Sequence, residues 1–387
     1  MTAALDIRPA ETSAAFKQFV ELPYRLYAQD PLWVPPLRSA QKKLFTRQTA
    51  FFEHGEMELL LACRDGRPVG RIAAIQNHAH NLHHKDRVGF FGFFECLIDD
   101  AEAAVGLVRS AERWLAGRGL TSLRGPVNPS MNAECGLLIE GFDHPPAALM
   151  PYNPAAYAGL LESAGLAKCK DLLAYQVIAE KVQGGAGARE RLDRMVAIAR
   201  RRHPEVSVRT INMRDFAAEI PRFMAIFEQA RRNNWGYVPI SEAELMETAR
   251  DLKQVIDPDL VLMAVADGEP AGASLAIPNI NHGLAAARGS LFPLGFLRFL
   301  RAMKKVHDIR VLGIAALPRY RHLGIAGLLM LETITRGLPK GYDIAEASWV
   351  LEDNVMSNRT IQSALDPRHY KTYRIYEKAI AGIVNSG

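Results

Sequence analysis

Pro318-Arg319-Tyr320-Arg321-His322-Leu323-Gly324-Ile325-Ala326-Gly327 lies between two apolar runs. Ile309-Arg310-Val311-Leu312-Gly313-Ile314-Ala315 precedes it, and Leu328, Leu329, Leu331 and Ile334 follow at helical spacing. The first run has the character of a strand and the second that of a helix with an apolar face. A strand, a basic glycine-containing loop and a helix together present backbone N–H groups and the positive end of a helix dipole to a phosphate. Gly324, Ala326 and Gly327 let the main chain approach a ligand closely. Arg319, Arg321 and His322 bring charge to the same place. The pattern alone is also that of an ordinary strand-to-helix turn.

Working outward, the chain repeats itself. Asp65-Gly66-Arg67-Pro68-Val69-Gly70 returns as Asp267-Gly268-Glu269-Pro270-Ala271-Gly272, each between strand-like runs. Asp-Gly in that setting signals a hairpin, because its turn needs positive φ. Trp33 and Trp235 stand at the same offset, each followed by a Val-Pro step. A duplicated unit accounts for both matches, with copies over residues 1–182 and 190–387 and Gly184–Gly187 as a flexible connector. Each copy mixes helices and strands, which predicts an α/β fold built on α+β mixed sheets. The Trp33 and Trp235 segments either line a pocket or brace each copy's first helix.

The composition is ordinary for a globular protein: 49% hydrophobic, 23% charged, net charge +5 over 387 residues. That mild basic excess suits an anionic cofactor or acidic membrane surface and gives no reason to expect nucleic acid. The four cysteines are scattered without metal-like spacing. Asn77-His78-Ala79-His80-Asn81-Leu82-His83-His84 is histidine-rich, but it lacks the accompanying ligands of a zinc site and reads as a polar loop. No metal is expected. The first residues lack the layout of a signal peptide, and no apolar run approaches the ~18 residues of a membrane span. The expected location is the cytoplasm.

Arg-x-x-Gly-x-Ala after a strand, carried here by Arg321, Gly324 and Ala326, resembles the acetyl-CoA-binding motif of the GNAT acyltransferase superfamily. The resemblance implies two tandem GNAT-like folds and acyl-CoA as co-substrate. It implies pantetheine along Ile314, Ala315 and Leu317, and pyrophosphate on Arg319, Arg321, His322, Leu323, Gly324, Ile325, Ala326 and Gly327. Asn354, after the next strand, completes the implied coenzyme set. The first copy lacks the motif, since Asp99-Asp100-Ala101-Glu102 stands where phosphates would sit, and acids there repel an anion. It reads as a degenerate copy that shapes the site or binds the acceptor.

Attack of an amine on a thioester needs a proton acceptor and a donor for the leaving thiolate. The family often uses an acid on or near the cofactor strand and a tyrosine in the later helix. Here Arg310–Leu317 holds no carboxylate, and Ile361 falls about where that tyrosine would be. Glu346 is the expected base and Tyr370 or Tyr373 the expected acid, with Ser348, Glu352, Asp353 and Tyr376 also nearby. Glu352-Asp353-Asn354 reads equally as a helix cap, and the tyrosines as half-buried strand residues.

Between the second hairpin and the cofactor strand, residues 290–305 place Leu294, Leu297, Leu300 and Met303 at helical spacing beside Phe296 and Phe299. Arg298, Arg301 and Lys305 form a basic stripe. Such a segment suits peripheral contact with the inner membrane, a lid over an apolar chain, or a helix packed on its own sheet. The chain also resembles a bacterial group of paired GNAT-like proteins in Gly89–Glu95, Arg124–Ser130 and Tyr370–Lys378. That group includes sphingoid-base N-acyltransferases, which implies long-chain acyl transfer to a lipid amine. Two other readings stay open: an acetyltransferase for a small amine or aminoacyl group, and a non-catalytic CoA-binding regulator.

Overall fold

The structure, a computed structural model, describes residues 4–180 and 187–380. Both Asp-Gly steps make the expected hairpins, joining β2 (Gly55–Arg64) to β3 (Arg67–Asn77) and β11 (Val261–Ala266) to β12 (Glu269–Pro278). Asp65, Gly66, Asp267 and Gly268 all take positive φ (47°, 72°, 52° and 81°), the requirement of a two-residue turn matched to strand twist. The first repeat adds β1 (Leu5–Pro9), β4 (Val88–Cys96), β5 (Ser122–Gly125), the short β6 (Val127–Asn128), β7 (Glu134–Cys135) and β8 (Leu137–Glu140), and β9 (Ala167–Ile178). The second adds β10 (Val206–Thr210), β13 (Asp308–Ala316), β14 (Ile344–Leu351) and β15 (Arg368–Ala379).

All but β6 and β7 join one 13-stranded sheet in the order β1-β2-β3-β4-β5-β15-β9-β14-β13-β12-β11-β10, with β8 also on β15. The repeats therefore exchange their last strands. β15, from the chain's end, pairs with β5 of the first repeat, and β9 pairs with β14 of the second. The long β9–β15 ladder at the centre ties the halves into one sheet. In each repeat a parallel pair starts and then parts. β4 and β5 match for three residues, Val88–Phe90 against Ser122–Arg124, and β13 and β14 for four, Asp308–Val311 against Ile344–Ala347.

Helices cover both faces. Ala101–Ala116 buries Leu107, Val108, Ala111 and Leu115 on the first repeat's strands, and Ile325–Gly337 does the same for the second. The histidine-rich stretch differs from the expected loop. His78–His84 is a short helix, because Asn77 Oδ1 caps it by accepting from His80 N–H and His80 is buried edge-on against Phe90. Of the expected connector, Gly184–Ala186 lie outside the described residues. Gly187 (φ 72°) starts an unexpected helix, Ala188–Arg202. The duplicated tryptophans play different parts. Trp33 stacks on Tyr27, which closes the first helix (Ser13–Leu26), centroids 5.0 Å apart, whereas Trp235 lies under Arg124 and Lys170 of the first repeat. No helix among the described residues is long and apolar enough to cross a membrane.

Candidate active site

Where β13 and β14 part, β13 keeps β12 on one edge and has no paired strand on the other. Ile314, Ala315 and Leu317 occupy this stretch and the step into the loop. Pro318–Leu323 form a tight turn, and Gly324 takes φ 73° before the helix Ile325–Gly337. Among the described residues no side chain caps that helix, so its first N–H groups are open to an outside acceptor. Leu323 and Ile325 are buried against Leu262, Ala264 and Leu329, which fixes the loop on the sheet. Arg319, Arg321, His322 and Gly324 face solvent. Exposed cations, small residues and an uncapped helix start fit a pyrophosphate. The helix Ala188–Arg202 flanks this seat. It buries Leu192 and Val196 between helices Ile325–Gly337 and Val355–Leu365, and Arg200 pairs with Glu332 at 2.8 Å. A Cβ on Gly324 would come within 2.9 Å of the Ala199 Cβ.

The opposite face of the sheet carries a buried polar cluster. Along β14, Ala345, Ala347 and Val350 pack with the helices, so the alternate residues Glu346 and Ser348 point away from them. Glu346 is 4% exposed, and accepts from Ser348 Oγ (2.5 Å) and from the Tyr370 hydroxyl. Arg310 donates from Nε to Ser348 Oγ (2.8 Å) and from Nη1 to Ala148 O (2.7 Å) and Leu149 O (3.0 Å), carbonyls of the first repeat. Lys371 Nζ donates to Pro145 O at 2.6 Å. Burial and the neighbouring Glu346 carboxylate push the Tyr370 hydroxyl far above its ordinary range, so it stays protonated. Burial, then Glu346, does the same to Tyr373, whose hydroxyl has no partner among the described residues. Burial pulls the Lys371 ammonium down. β13 begins one residue before the strand-like run at Ile309, at Asp308. That carboxylate accepts from Asn279 Nδ2 (2.6 Å) and contacts His282 Nε2 (2.7 Å).

No family model matches the chain. It is 37% identical over 391 residues to the bacterial ceramide synthase of Caulobacter vibrioides (strain NA1000 / CB15N), covering 98% of each chain. The chain belongs to the bacterial ceramide synthase family. Protein YghO of Escherichia coli (strain K12) is 31% identical over 370 residues, covering 94% of this chain and 93% of that one. Among solved structures, a tandem GNAT protein from the clavulanic acid biosynthesis pathway superposes with TM-score 0.57 at 13% identity, covering 98% of this chain and 99% of its own. A GCN5-related N-acetyltransferase from Sphaerobacter thermophilus gives 0.54 at 12%, covering 98% and 97%. The fold is a tandem GNAT fold, and this family member is an N-acyltransferase.

The structure brings Glu346, Ser348, Tyr370 and Arg310 together and places Tyr373 one step further into the core. Glu346 and Ser348 lie on the face of β14 turned away from Ala345 and Ala347, which pack with Leu328 and Leu331 of the helix that follows the Arg319–Gly327 turn. Asn354 spends its side chain capping Val355–Leu365, accepting from Ser357 N–H at 3.1 Å. Glu352 and Asp353 pair with Lys168 and Lys170 of β9, and Glu352 also accepts from Asp171 N–H. Ile361 is buried among Tyr175, Leu192 and Leu365. Arg310, Lys371 and the helix Ala188–Arg202 escaped the sequence reading. The Leu192, Val196, Ala199 spacing signalled the helix. A cation inside an apolar strand signalled Arg310, because a buried Arg needs partners from elsewhere in the chain.

Proposed function

We propose that the enzyme transfers a long-chain acyl group from acyl-CoA to the amine of a sphingoid base, making a ceramide-type amide. The observation that carries this reading is 37% identity across 98% of both chains to a protein named for that product. The cofactor seat and the buried polar cluster on opposite faces of one sheet support it. Residues 190–387 hold the coenzyme, with pyrophosphate on the N–H groups from Gly324 to Gly327 and pantetheine beside Ile314, Ala315 and Leu317. The thioester then reaches the Glu346 side through the gap beyond Val311 and Ala347. Residues 1–182 close that side through the backbone of Pro145, Ala148 and Leu149, and shape the acceptor pocket.

In the transfer, the amine nitrogen bonds to the thioester carbonyl carbon and its proton passes to Glu346. The C–S bond breaks as the tetrahedral adduct collapses, and the thiolate takes a proton from Tyr370, with Tyr373 as the other candidate donor. Tyr370 regains that proton from the carboxylic acid of Glu346 through the hydrogen bond between them, so the amine's proton ends on the thiol and both side chains return to their starting states. The exposed apolar and basic segment 290–305 supports peripheral contact with a membrane, where such an acceptor resides.

The test is release of free CoA thiol from palmitoyl-CoA against acetyl-CoA, with and without sphinganine. Sphinganine-dependent release from palmitoyl-CoA is expected. Preference for acetyl-CoA with a soluble amine would replace this reading with small-amine acetylation, and coenzyme binding without turnover would make the protein a regulator.

A further inference from the structure

Between β12 and β13 the second repeat inserts a pair of helices, Asn281–Ala287 and Gly295–Met303. The pair is held firmly at its base. Phe299 packs over Gly283, Asn281 Nδ2 donates to Pro146 O and Ala147 O, and His282 meets Asp308. Arg38 N–H donates to Gly289 O at 3.0 Å, which fastens the linking turn to the first repeat. The outward side is left uncovered. Phe292 is 86% exposed, Leu297 62%, Leu294 55% and Phe296 51%. Side chains of this size grouped on a rigid, anchored surface mark a contact site.

A cleft of about 530 Å³ opens beside them, lined by Arg288, Arg298, Arg301 and Lys305 over a floor of Ala285, Ala286 and Ala302. None of these four cations pairs with a carboxylate among the described residues, and residues 288–307 contain no Asp or Glu. Converging cations without counter-charge attract an anion, and the small floor leaves room for a phosphate and its substituents.

We propose that this cleft binds the phosphate headgroups of an anionic phospholipid surface while Phe292, Leu294 and Leu297 enter the acyl layer beside it. It rests on the peripheral-membrane reading above and names its chemistry. Cations alone would suit nucleic acid equally, but the apolar side chains alongside favour a bilayer. The same two helices are anchored to Pro146, Ala147 and Asp308, the neighbours of Arg310 and Glu346. Docking therefore sets the acceptor face of the enzyme against the layer that holds a lipid amine.

The test is sedimentation of the full chain, without acyl-CoA or acceptor, on vesicles of phosphatidylcholine alone or with a third of phosphatidylglycerol. Binding at least tenfold stronger to the anionic vesicles, weakening with salt, is expected. Arg298→Glu with Arg301→Glu abolishes that preference, and Phe292→Ser with Leu297→Ser weakens binding to both vesicles about tenfold. Unchanged circular dichroism and melting show that each variant folds. Equal binding to both vesicles, or wild-type binding by either double variant, would overturn the proposal. Because no acyl transfer is read, failure here is distinct from failure of the thiol-release test.

Discussion

The two repeats open the same gap between parallel strands and finish it in opposite ways. In the first, the protein fills it with its own groups. Asn128 Oδ1 accepts from Phe93 N–H at 2.7 Å, and the Tyr157 hydroxyl from Cys96 N–H at 3.0 Å. Asp100 Oδ1 caps the following helix by accepting from Ala103 N–H, and Arg64 neutralises Asp100. In the second repeat, β13 has no strand on that edge past Val311, and the next helix starts at Gly324 without a side-chain cap. Buried and terminal N–H groups need acceptors. The first repeat satisfies them internally, and the second leaves them to an acceptor from outside, which is what the proposed coenzyme site requires.

The strongest way to break this comparison is to give the second repeat the character of the first. Gly324→Glu places a carboxylate at the anion seat, forces a side chain onto φ 73°, and meets Ala199. The strain alone costs about 1–2 kcal/mol. With charge repulsion added, CoA should bind about 100-fold more weakly, equivalent to about 2.7 kcal/mol. Titration calorimetry reads this directly. Wild-type affinity would remove the loop from the coenzyme site and with it the proposed chemistry.

Each repeat also holds a largely enclosed glutamate bonded to at least one tyrosine hydroxyl, and these sharpen the contrast. Glu95 accepts from Tyr27 (2.7 Å) and Tyr157 (3.0 Å), and burial raises its carboxyl pKa. Glu346 accepts from Tyr370 and Ser348. Glu346→Gln should lower kcat at least about tenfold with CoA affinity unchanged, because the two sites lie on opposite faces of the sheet. Tyr370→Phe should lower kcat in the same assay, and a loss seen with Tyr373→Phe instead would move the acid to Tyr373. Glu95→Gln should cost stability and leave kcat alone. A rate that falls with Glu95→Gln and survives Glu346→Gln would reverse the roles of the repeats.

Much of this was legible in the chain. Asp-Gly turns fix their hairpins locally, and the Pro318–Leu323 turn between β13 and the helix Ile325–Gly337 is a continuous stretch that the sequence marks by its own small and basic residues. The duplication followed from those hairpins. The exchange of β9 and β15 was not legible, since an Ala167–Ile178 strand looks the same whichever neighbour it takes. The polar cluster was half legible. Glu346 and Tyr370 stood out as ionisable residues near the cofactor strand, but Arg310 depends on Ala148 and Leu149, which only the folded chain brings near. Asn354 carries a second role that the sequence did not decide: its Oδ1 caps the helix Val355–Leu365 by accepting from Ser357 N–H.

The smallest effect tests whether the filled repeat is structure alone. Bonds from Arg64, opposed by partial burial and helped by the Ala103 N–H, hold the Asp100 carboxyl below the usual carboxylate range. A depressed folded pKa means that Asp100 contributes stability above its unfolded value of about 3.9, and loses it as pH falls through the folded value. Asp100→Ala should therefore lower stability at neutral pH by about 1 kcal/mol, read by urea unfolding. The gap from wild type should shrink as the solution is acidified below about pH 4. Asp100→Asn, which still caps, should fall between the two. CoA affinity should stay at the wild-type value in both variants, because Asp100 caps a helix of the first repeat and the proposed coenzyme seat is in the second. A drop in CoA affinity would mean that the first repeat's helix terminus still takes part in coenzyme binding, and the division of labour between the repeats would have to be redrawn.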